Sequence, residues 1–340
     1  MLAALCFATM AKAQVAEFNP SVTTDGISYV LPKTALRADV SAVKTVFTPG
    51  EYAKYAERYL HFSNVRTEAE TLWKVTDVNI SEEGVVDTLK RFSVKSKDKN
   101  LLPKVQLSKE GFIMAINRYA DAPAAQAKAK QPTHHKIDFR KYMTEEMLEA
   151  TSSSKLAELV AREILDIRES KNAIRRGQAD NMPKDGAGVR IVLEELNAQE
   201  EALTQLFVGY TDTIYASASF TVVPENDIDK QVFFRFSKKL GFVDDDDLAG
   251  EPFYVSVKNA HTVPLPTEKE AAKRKIVGLV YNVPGLADVN VFTVGKSYFS
   301  KRVPFAQFGT IDMLSPTLFD KNVSTKVLFD TATGAVSKIE

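Results

Sequence analysis

Apolar residues recur at intervals of three and four along the middle of the chain, between Thr144 and Val208. Such spacing places them on one stripe of a helix. The stripe positions are Leu156, Leu159, Val160, Ile164, Ile167 and Ile174 in a first arm, and Val189, Leu193, Leu196, Leu203 and Leu206 in a second. Pro183 and Gly186 interrupt the pattern between the arms. The pattern therefore predicts an antiparallel helical hairpin over residues 144–208.

On both sides of the hairpin the apolar residues alternate, which is typical of strands. Before it, the β-rich stretches are Gly26–Leu31, Thr34–Phe47, Leu72–Ile80, Phe92–Val94 and Gly111–Asn117, with one short helix over Glu51–Leu60. After it, they are Thr213–Val223, Val232–Ser237, Phe253–Lys258, Ile276–Val283, Asp288–Val294, Thr325–Asp330 and Val336–Ile339. We expect Pro32 to end the first strand, and Pro284-Gly285 and Thr333-Gly334 to form turns. The predicted class is α+β, mainly antiparallel and sandwich-like, with the helical hairpin inserted.

These patterns divide the chain into five segments. They are a leader at 1–13, an N-terminal β-rich domain with one short helix at 14–119, a linker at 120–143, the hairpin at 144–208 and a C-terminal β-rich domain at 209–340. The linker begins with a stretch rich in Ala, Gln, Lys and Pro that has no periodicity.

The first ten residues are almost entirely apolar, and Ala11-Lys12-Ala13 follows them as a small-x-small cleavage site. This pattern is typical of a secretory signal peptide that lacks its basic head, and it predicts a mature chain beginning at Gln14. The alternatives are an ordinary N-terminal strand or helix, or lipid attachment at Cys6, the only cysteine. No apolar run is long enough to span a bilayer. We expect an exported protein that is periplasmic, associated with the outer membrane or extracellular.

Composition narrows the choice of partners. The 340 residues are 44% hydrophobic, and 44 Lys and Arg balance 44 Asp and Glu. Such a balance gives no electrostatic reason to expect nucleic acid or an anionic membrane as a partner.

No sequence motif predicts a catalytic, cofactor or metal residue. The adjacent His134 and His135 point to opposite sides of an extended chain, so they are poor joint ligands. The acidic run Asp244–Asp247 lacks the spacing of a calcium loop, and the basic run Lys269–Lys275 has no interleaved aromatic residues.

Three tyrosines mark a possible interaction face. Tyr52, Tyr55 and Tyr59 fall on one side of the predicted short helix. They could contact a sugar or a protein partner, or they could pack against the sheet as core residues.

Several blocks of sequence resemble one family. They are Gly26–Leu36, Pro49–Leu60, Met182–Gly186, Gln199–Leu203, Leu206–Gly209, Ala306–Gly309 and Thr333–Ala335. Together they are similar to secreted envelope proteins of Bacteroidetes that are known only as a domain of unknown function. The resemblance implies an envelope or extracellular setting and no activity. Thr88, Thr213 and Thr331 each follow an Asp and precede a small aliphatic residue, which looks like the O-glycosylation sequon of exported proteins in that group.

The function predicted from the sequence is a non-catalytic binding or structural component of the envelope that engages protein or glycan. The alternative is a hydrolase of envelope polymers or glycans, because a pair of catalytic carboxylates needs no local motif.

Overall fold

Three antiparallel sheets and four α-helices build the protein, in the part of the chain that the computed structural model describes. Described are residues 20–23, 26–95, 105–117, 138–179, 185–264, 266–267, 278–315 and 325–340. The leader 1–13, most of the linker 120–143, the predicted hairpin turn at Pro183 and the basic run Lys269–Lys275 lie outside these residues. The α+β class, mainly antiparallel β, is confirmed.

Among the described residues, two strands, a short helix and three more strands come first, then three helices, and then eight strands. The strands are β1 (Ser21–Thr23), β2 (Gly26–Thr48), β3 (Glu70–Lys95), β4 (Val105–Leu107), β5 (Ile113–Ile116), β6 (Tyr210–Val222), β7 (Ile228–Ser237), β8 (Gly241–Val243), β9 (Glu251–Asn259), β10 (Leu279–Thr293), β11 (Lys296–Leu314), β12 (Val327–Phe329) and β13 (Val336–Ile339). The helices are α1 (Ala56–Leu60), α2 (Glu145–Leu148), α3 (Ser153–Arg175) and α4 (Gly186–Val208), with 3-10 turns at Ala53–Tyr55 and Phe139–Tyr142.

Two sheets pack face to face as a sandwich. In the first, β2 lies between β3 and β6 and also pairs with β1; the second has the order β11-β10-β9-β7-β8. The alternating residues Leu36, Ala38 and Val40 of β2 are fully buried against the second sheet, where Phe234 and Val289 are among their partners. Full burial of such a Leu, Val or Phe side chain stabilises the fold by about 1.5–3 kcal/mol.

The third sheet, of order β13-β12-β5-β4, joins the two ends of the chain. Val327 of β12 pairs with Ile116 of β5, and β6 pairs with β2 along its whole length. The two β-rich regions that the sequence separates into domains therefore share two sheets, because strands on either side of the hairpin pair with each other.

Two prolines that the sequence predicted would interrupt a strand lie inside one. Pro32 does not end its strand, which continues through a register shift where four residues of β3, 87–90, stand opposite Leu31. The predicted turn at Pro284-Gly285 is also wrong, because both residues lie in β10 at a second register shift. Each shift is an irregular position at which a residue without an N–H group is tolerated. The Thr333-Gly334 turn is confirmed between β12 and β13.

The helical hairpin is confirmed, with α3 and α4 as its arms. Asp185 caps α4 by accepting a hydrogen bond from the Gly188 N–H at 2.6 Å. The helix ends at Gly209, whose φ of 78° suits a residue without a side chain. Between the arms, the Glu200 carboxylate accepts hydrogen bonds from Arg168 at 2.6 Å and from Lys171 at 2.5 Å. These bonds fix how the two helices align.

Candidate functional site

The side of β2 that faces away from the sandwich core carries polar residues. Since side chains alternate along a strand, burial of Leu36, Ala38 and Val40 turns Arg37, Asp39 and Ser41 outward. The sequence of β2 therefore places a polar row in the middle of the first sheet.

The neighbouring strands extend this row into a surface that we call the polar face. Its members are Arg37, Asp39, Ser41, Val43 and Thr45 of β2, Leu72, Lys74, Asp77, Asn79 and Ser81 of β3, and Thr213, Tyr215, Ser217, Ser219 and Thr221 of β6. The β2 row from Arg37 to Thr45 spans about 27 Å at 3.4 Å per residue. The polar face thus offers hydroxyl, amide and charged groups along an extended track.

A cluster of hydrogen-bonded charges lies at one end of the polar face. Asp39 Oδ1 accepts hydrogen bonds from Arg37 Nε at 2.9 Å and from the Ser219 hydroxyl at 2.5 Å. Arg37 also donates to Ser219 Oγ at 3.2 Å and contacts Glu83 Oε2 at 3.5 Å. The side chains of Arg37 and Asp39 are 30% and 41% exposed, so a ligand in solution can reach them.

The electrostatics of the cluster favour an ionised Asp39. Partial burial alone would raise the pKa of this carboxyl group, but the hydrogen bonds from Ser219 and Arg37 outweigh burial and lower it. The hydrogen bond to Asp39 raises the pKa of Arg37. A carboxylate with a lowered pKa is a weak general base, so Asp39 is poorly suited to take a proton from Ser219. The cluster is better suited to hold hydrogen-bonding partners than to activate a nucleophile.

The tyrosines singled out in the sequence pack in the core formed by the helices and are not part of the polar face. Tyr52 is 1% exposed and its ring meets Phe207 edge-on at 5.8 Å, and burial raises the pKa of Tyr52 to about 12. Tyr55 and Tyr59 are half-buried, and the Tyr59 hydroxyl lies 3.2 Å from Ser154 Oγ. Tyr52 thus packs in the helical core, whereas partner binding at Tyr55 and Tyr59 stays a prediction.

The three threonines of the possible sequon lie in three different elements, two strands and a turn. Thr88 is exposed in the β3 bulge, Thr331 is exposed in the turn before β13, and Thr213 is half-buried on the polar face. Their glycosylation stays a prediction.

The acidic run forms a turn in the second sheet. The Asp247 N–H donates to the Asp244 carbonyl oxygen at 3.0 Å, and the Asp247 carboxylate accepts from the Ala249 N–H at 2.8 Å. Across the described ranges, no group of three or more His, Cys, Asp or Glu side chains is placed to hold a metal ion.

Sequence reasoning did not find the cluster around Asp39. The one available signal was the polar alternation at Arg37, Asp39 and Ser41 within an apolar strand. Ser219 completes the cluster from 180 residues away, and nothing local in the sequence shows that β6 pairs with β2.

Comparison with known proteins identifies the family. The model of DUF4831, a domain of unknown function, matches residues 25–337. The chain belongs to the DUF4831 family. The match extends from the start of β2 into β13, so the DUF4831 domain includes the hairpin and, apart from β1, the strands of all three sheets. No curated protein and no solved structure matches the chain. In the described part of this DUF4831 chain, no helix is long and apolar enough to cross a membrane.

Three of the sequence blocks that resemble the family meet in the DUF4831 domain at a junction of the sheets. Gln307 of β11 accepts from the Thr34 N–H at 3.0 Å and donates to the carbonyl oxygens of Thr34 at 2.8 Å and Pro224 at 2.9 Å. Asn282 of β10 donates to the carbonyl oxygen of Thr333 at 2.7 Å. A side chain at Gly309 would overlap the Val283 carbonyl group. These blocks therefore serve the architecture, and none of their residues belongs to the polar face.

Proposed function

We propose that this DUF4831 protein is an exported, non-catalytic binding component of the cell envelope, and that its polar face engages a glycan. The polar face carries the proposal. Sugar hydroxyl groups both donate and accept hydrogen bonds, and the polar face presents donors and acceptors of both kinds. Its length of about 27 Å suits an extended chain of sugars more than a single small molecule.

The cluster around Asp39 supports a binding role. Arg37, Asp39 and Ser219 already hold one another, so little side-chain entropy is lost when a ligand replaces water around them. Hydrogen bonds to charged groups are about twice as strong as those between neutral groups. Tyr215, 41% exposed on the same face, adds an aromatic surface of the kind that packs against apolar patches of a ligand.

The proposal that the protein is exported to the cell envelope is based on its sequence. The apolar start and the Ala11-Lys12-Ala13 site support export, and the resemblance to envelope proteins supports the compartment. N-terminal sequencing of the protein isolated from its native cells should give Gln14 as the first residue. An intact Met1, or a diacylated Cys6, would contradict export by this route. Intact-mass measurement of the same sample tests glycosylation of Thr88, Thr213 and Thr331.

Binding is tested with polysaccharide isolated from the envelope of the producing cells, by titration calorimetry and by co-sedimentation. We expect Asp39→Ala to weaken binding at least about tenfold, because it removes a charged acceptor and releases Arg37. Asp229→Ala, an equivalent change at an exposed position on β7 of the other sheet, should bind like the wild type.

Equal binding by the wild type and both variants would place the glycan elsewhere. Soluble sugar fragments appearing during the incubation, and lost in an Asp39 or Glu83 variant, would favour the hydrolase alternative.

A further inference from the structure

The guanidinium group of Arg37 already has its partners within the protein. Its Nε donates to Asp39 Oδ1 at 2.9 Å, its Nη2 donates to Ser219 Oγ at 3.2 Å, and its Nη1 contacts Glu83 Oε2 at 3.5 Å. All three nitrogens are thus engaged, and two carboxylates stand against the one positive charge. A ligand with a carboxylate, sulfate or phosphate group would have to compete with both carboxylates for Arg37.

The groups that this cluster leaves for a ligand are acceptors. Asp39 bonds to the protein only through Oδ1 and Glu83 only through Oε2, so within the described residues no donor bonds to Asp39 Oδ2 or Glu83 Oε1. The two side chains are 41% and 46% exposed. The Ser219 hydroxyl group donates its one hydrogen to Asp39 and therefore has none left for a ligand.

The other charges of the polar face do not add an excess of positive charge. Lys74 is exposed, and Asp77 lies on the same face of the same strand. Beyond the polar face on β2, Lys33 donates to Glu225 Oε1 at 2.8 Å. With Glu83 included, the polar face carries two basic groups and three carboxylates, so its field does not attract an acidic polymer.

We propose that the polar face selects glycans that carry no acidic groups, and that Asp39 and Glu83 set this selectivity. The inference rests on the glycan-binding function proposed above and names the class of glycan. Sugar hydroxyl groups donate to Asp39 Oδ2 and Glu83 Oε1, and hydrogen bonds to a charged acceptor are about twice as strong as those between neutral groups. An acidic group at the same place would lie beside two like charges and be repelled.

The test uses a matched pair of ligands from one source. Polysaccharide from the envelope of the producing cells is passed over an anion exchanger, and half of the unretained fraction is treated to oxidise its primary hydroxyl groups to carboxylates. The retained, acidic fraction is titrated as well. By titration calorimetry, we expect the wild type to bind the untreated half and to bind both acidic samples at least about tenfold more weakly. This difference should shrink at about 0.5 M salt, which screens repulsion between exposed charges.

Two variants assign the selectivity to residues. Asp39→Asn keeps the shape of the side chain but puts a donating NH₂ group where Oδ2 accepts, so it should weaken binding of the untreated half at least about tenfold and strengthen binding of the oxidised half. Glu83→Gln removes one of the two carboxylates beside Arg37 and leaves the bonds of Ser219 in place, and it should also strengthen binding of the oxidised half. Asp229→Asn makes the same change in charge at an exposed position of β7 and should alter neither affinity. Thermal melting shows whether each variant is folded.

The possible failures can be told apart. If the wild type binds the oxidised half or the retained fraction as tightly as the untreated half, or binds only an acidic sample, the selectivity is overturned and glycan binding stands. A wild type that binds none of the samples overturns both proposals. If the preference persists in folded Asp39→Asn and Glu83→Gln, or is lost in Asp229→Asn as well, these two carboxylates do not set it.

Discussion

Replacing Gln307 by Leu tests the junction of the sheets most directly. The carboxamide of Gln307 bonds to the N–H and carbonyl groups of Thr34 and to the carbonyl group of Pro224. A leucine of similar size keeps the packing and leaves these three main-chain groups without partners. An unsatisfied buried group costs about 1–3 kcal/mol. Because Gln307 is half-buried and water can compensate in part, we expect a loss of about 2–4 kcal/mol in the free energy of unfolding.

The assay is unfolding by urea together with thermal melting. With an unfolding entropy of about 2.1 cal/mol/K per residue, a chain of 340 residues should melt lower by about 3–6 °C. Gln231→Leu makes the same change at an exposed position of β7 and should leave the melting temperature nearly fixed. The reasoning is refuted if Gln307→Leu melts with the wild type, or if both variants lose the same stability.

Three further predictions concern the helical end. Partial burial would raise the pKa of Glu200, but the hydrogen bonds from Lys171 and Arg168 outweigh it and lower this pKa. The wild type should therefore be more stable than Glu200→Gln above pH 4.5. This stability advantage should shrink as the pH falls from 4.5 through the lowered pKa of Glu200 in the folded protein. Urea unfolding measures it, and a difference in unfolding free energy between the two proteins that stays constant with pH would refute the reasoning. Leu196→Asp puts a charge where α4 contacts the helical core and should lower the free energy of unfolding by at least about 2 kcal/mol. Glu195→Asp, on the exposed side of the same helix, should change it little. Equal melting curves for the two variants would contradict burial of Leu196. Tyr52→Ala should lower the free energy of unfolding by about 3–5 kcal/mol, and an unchanged midpoint in urea would argue against its core position.

Local patterns in the sequence predicted the elements better than their connections. The helical period gave both arms of the hairpin, because a stripe such as Ile164 and Ile167 must be buried wherever the helix lies. The same reasoning failed at Pro32 and Pro284, since a proline can end a strand or occupy a bulge within it, and the choice depends on the partner strand. Strand β11 was not predicted at all, although Phe305 in its middle is fully buried.

The candidate site was likewise predictable in its local pattern but not in the strands that complete it. The outward row of β2 was visible as alternation, but its role depends on partners contributed by β3 and β6. Asp39 and Ser219 meet only because the hairpin returns the chain to the edge of β2. The sequence alone does not predict this pairing, because no local preference of β6 selects β2 over any other strand.

The junction of the sheets also sets the order in which the protein can be completed. The hydroxyl group of Thr34, near the start of the fold, donates to the carbonyl oxygen of Ala332, 298 positions later. Pairing of such distant segments is slow, because the intervening chain must first be confined. During synthesis, the early strands β2 and β3 can pair with each other, but the bonds from Thr34 to Ala332 and from Asn282 to Thr333 must wait for the last residues to emerge. A chain that stops before β12 would therefore leave the Thr34 hydroxyl group of β2 without this acceptor.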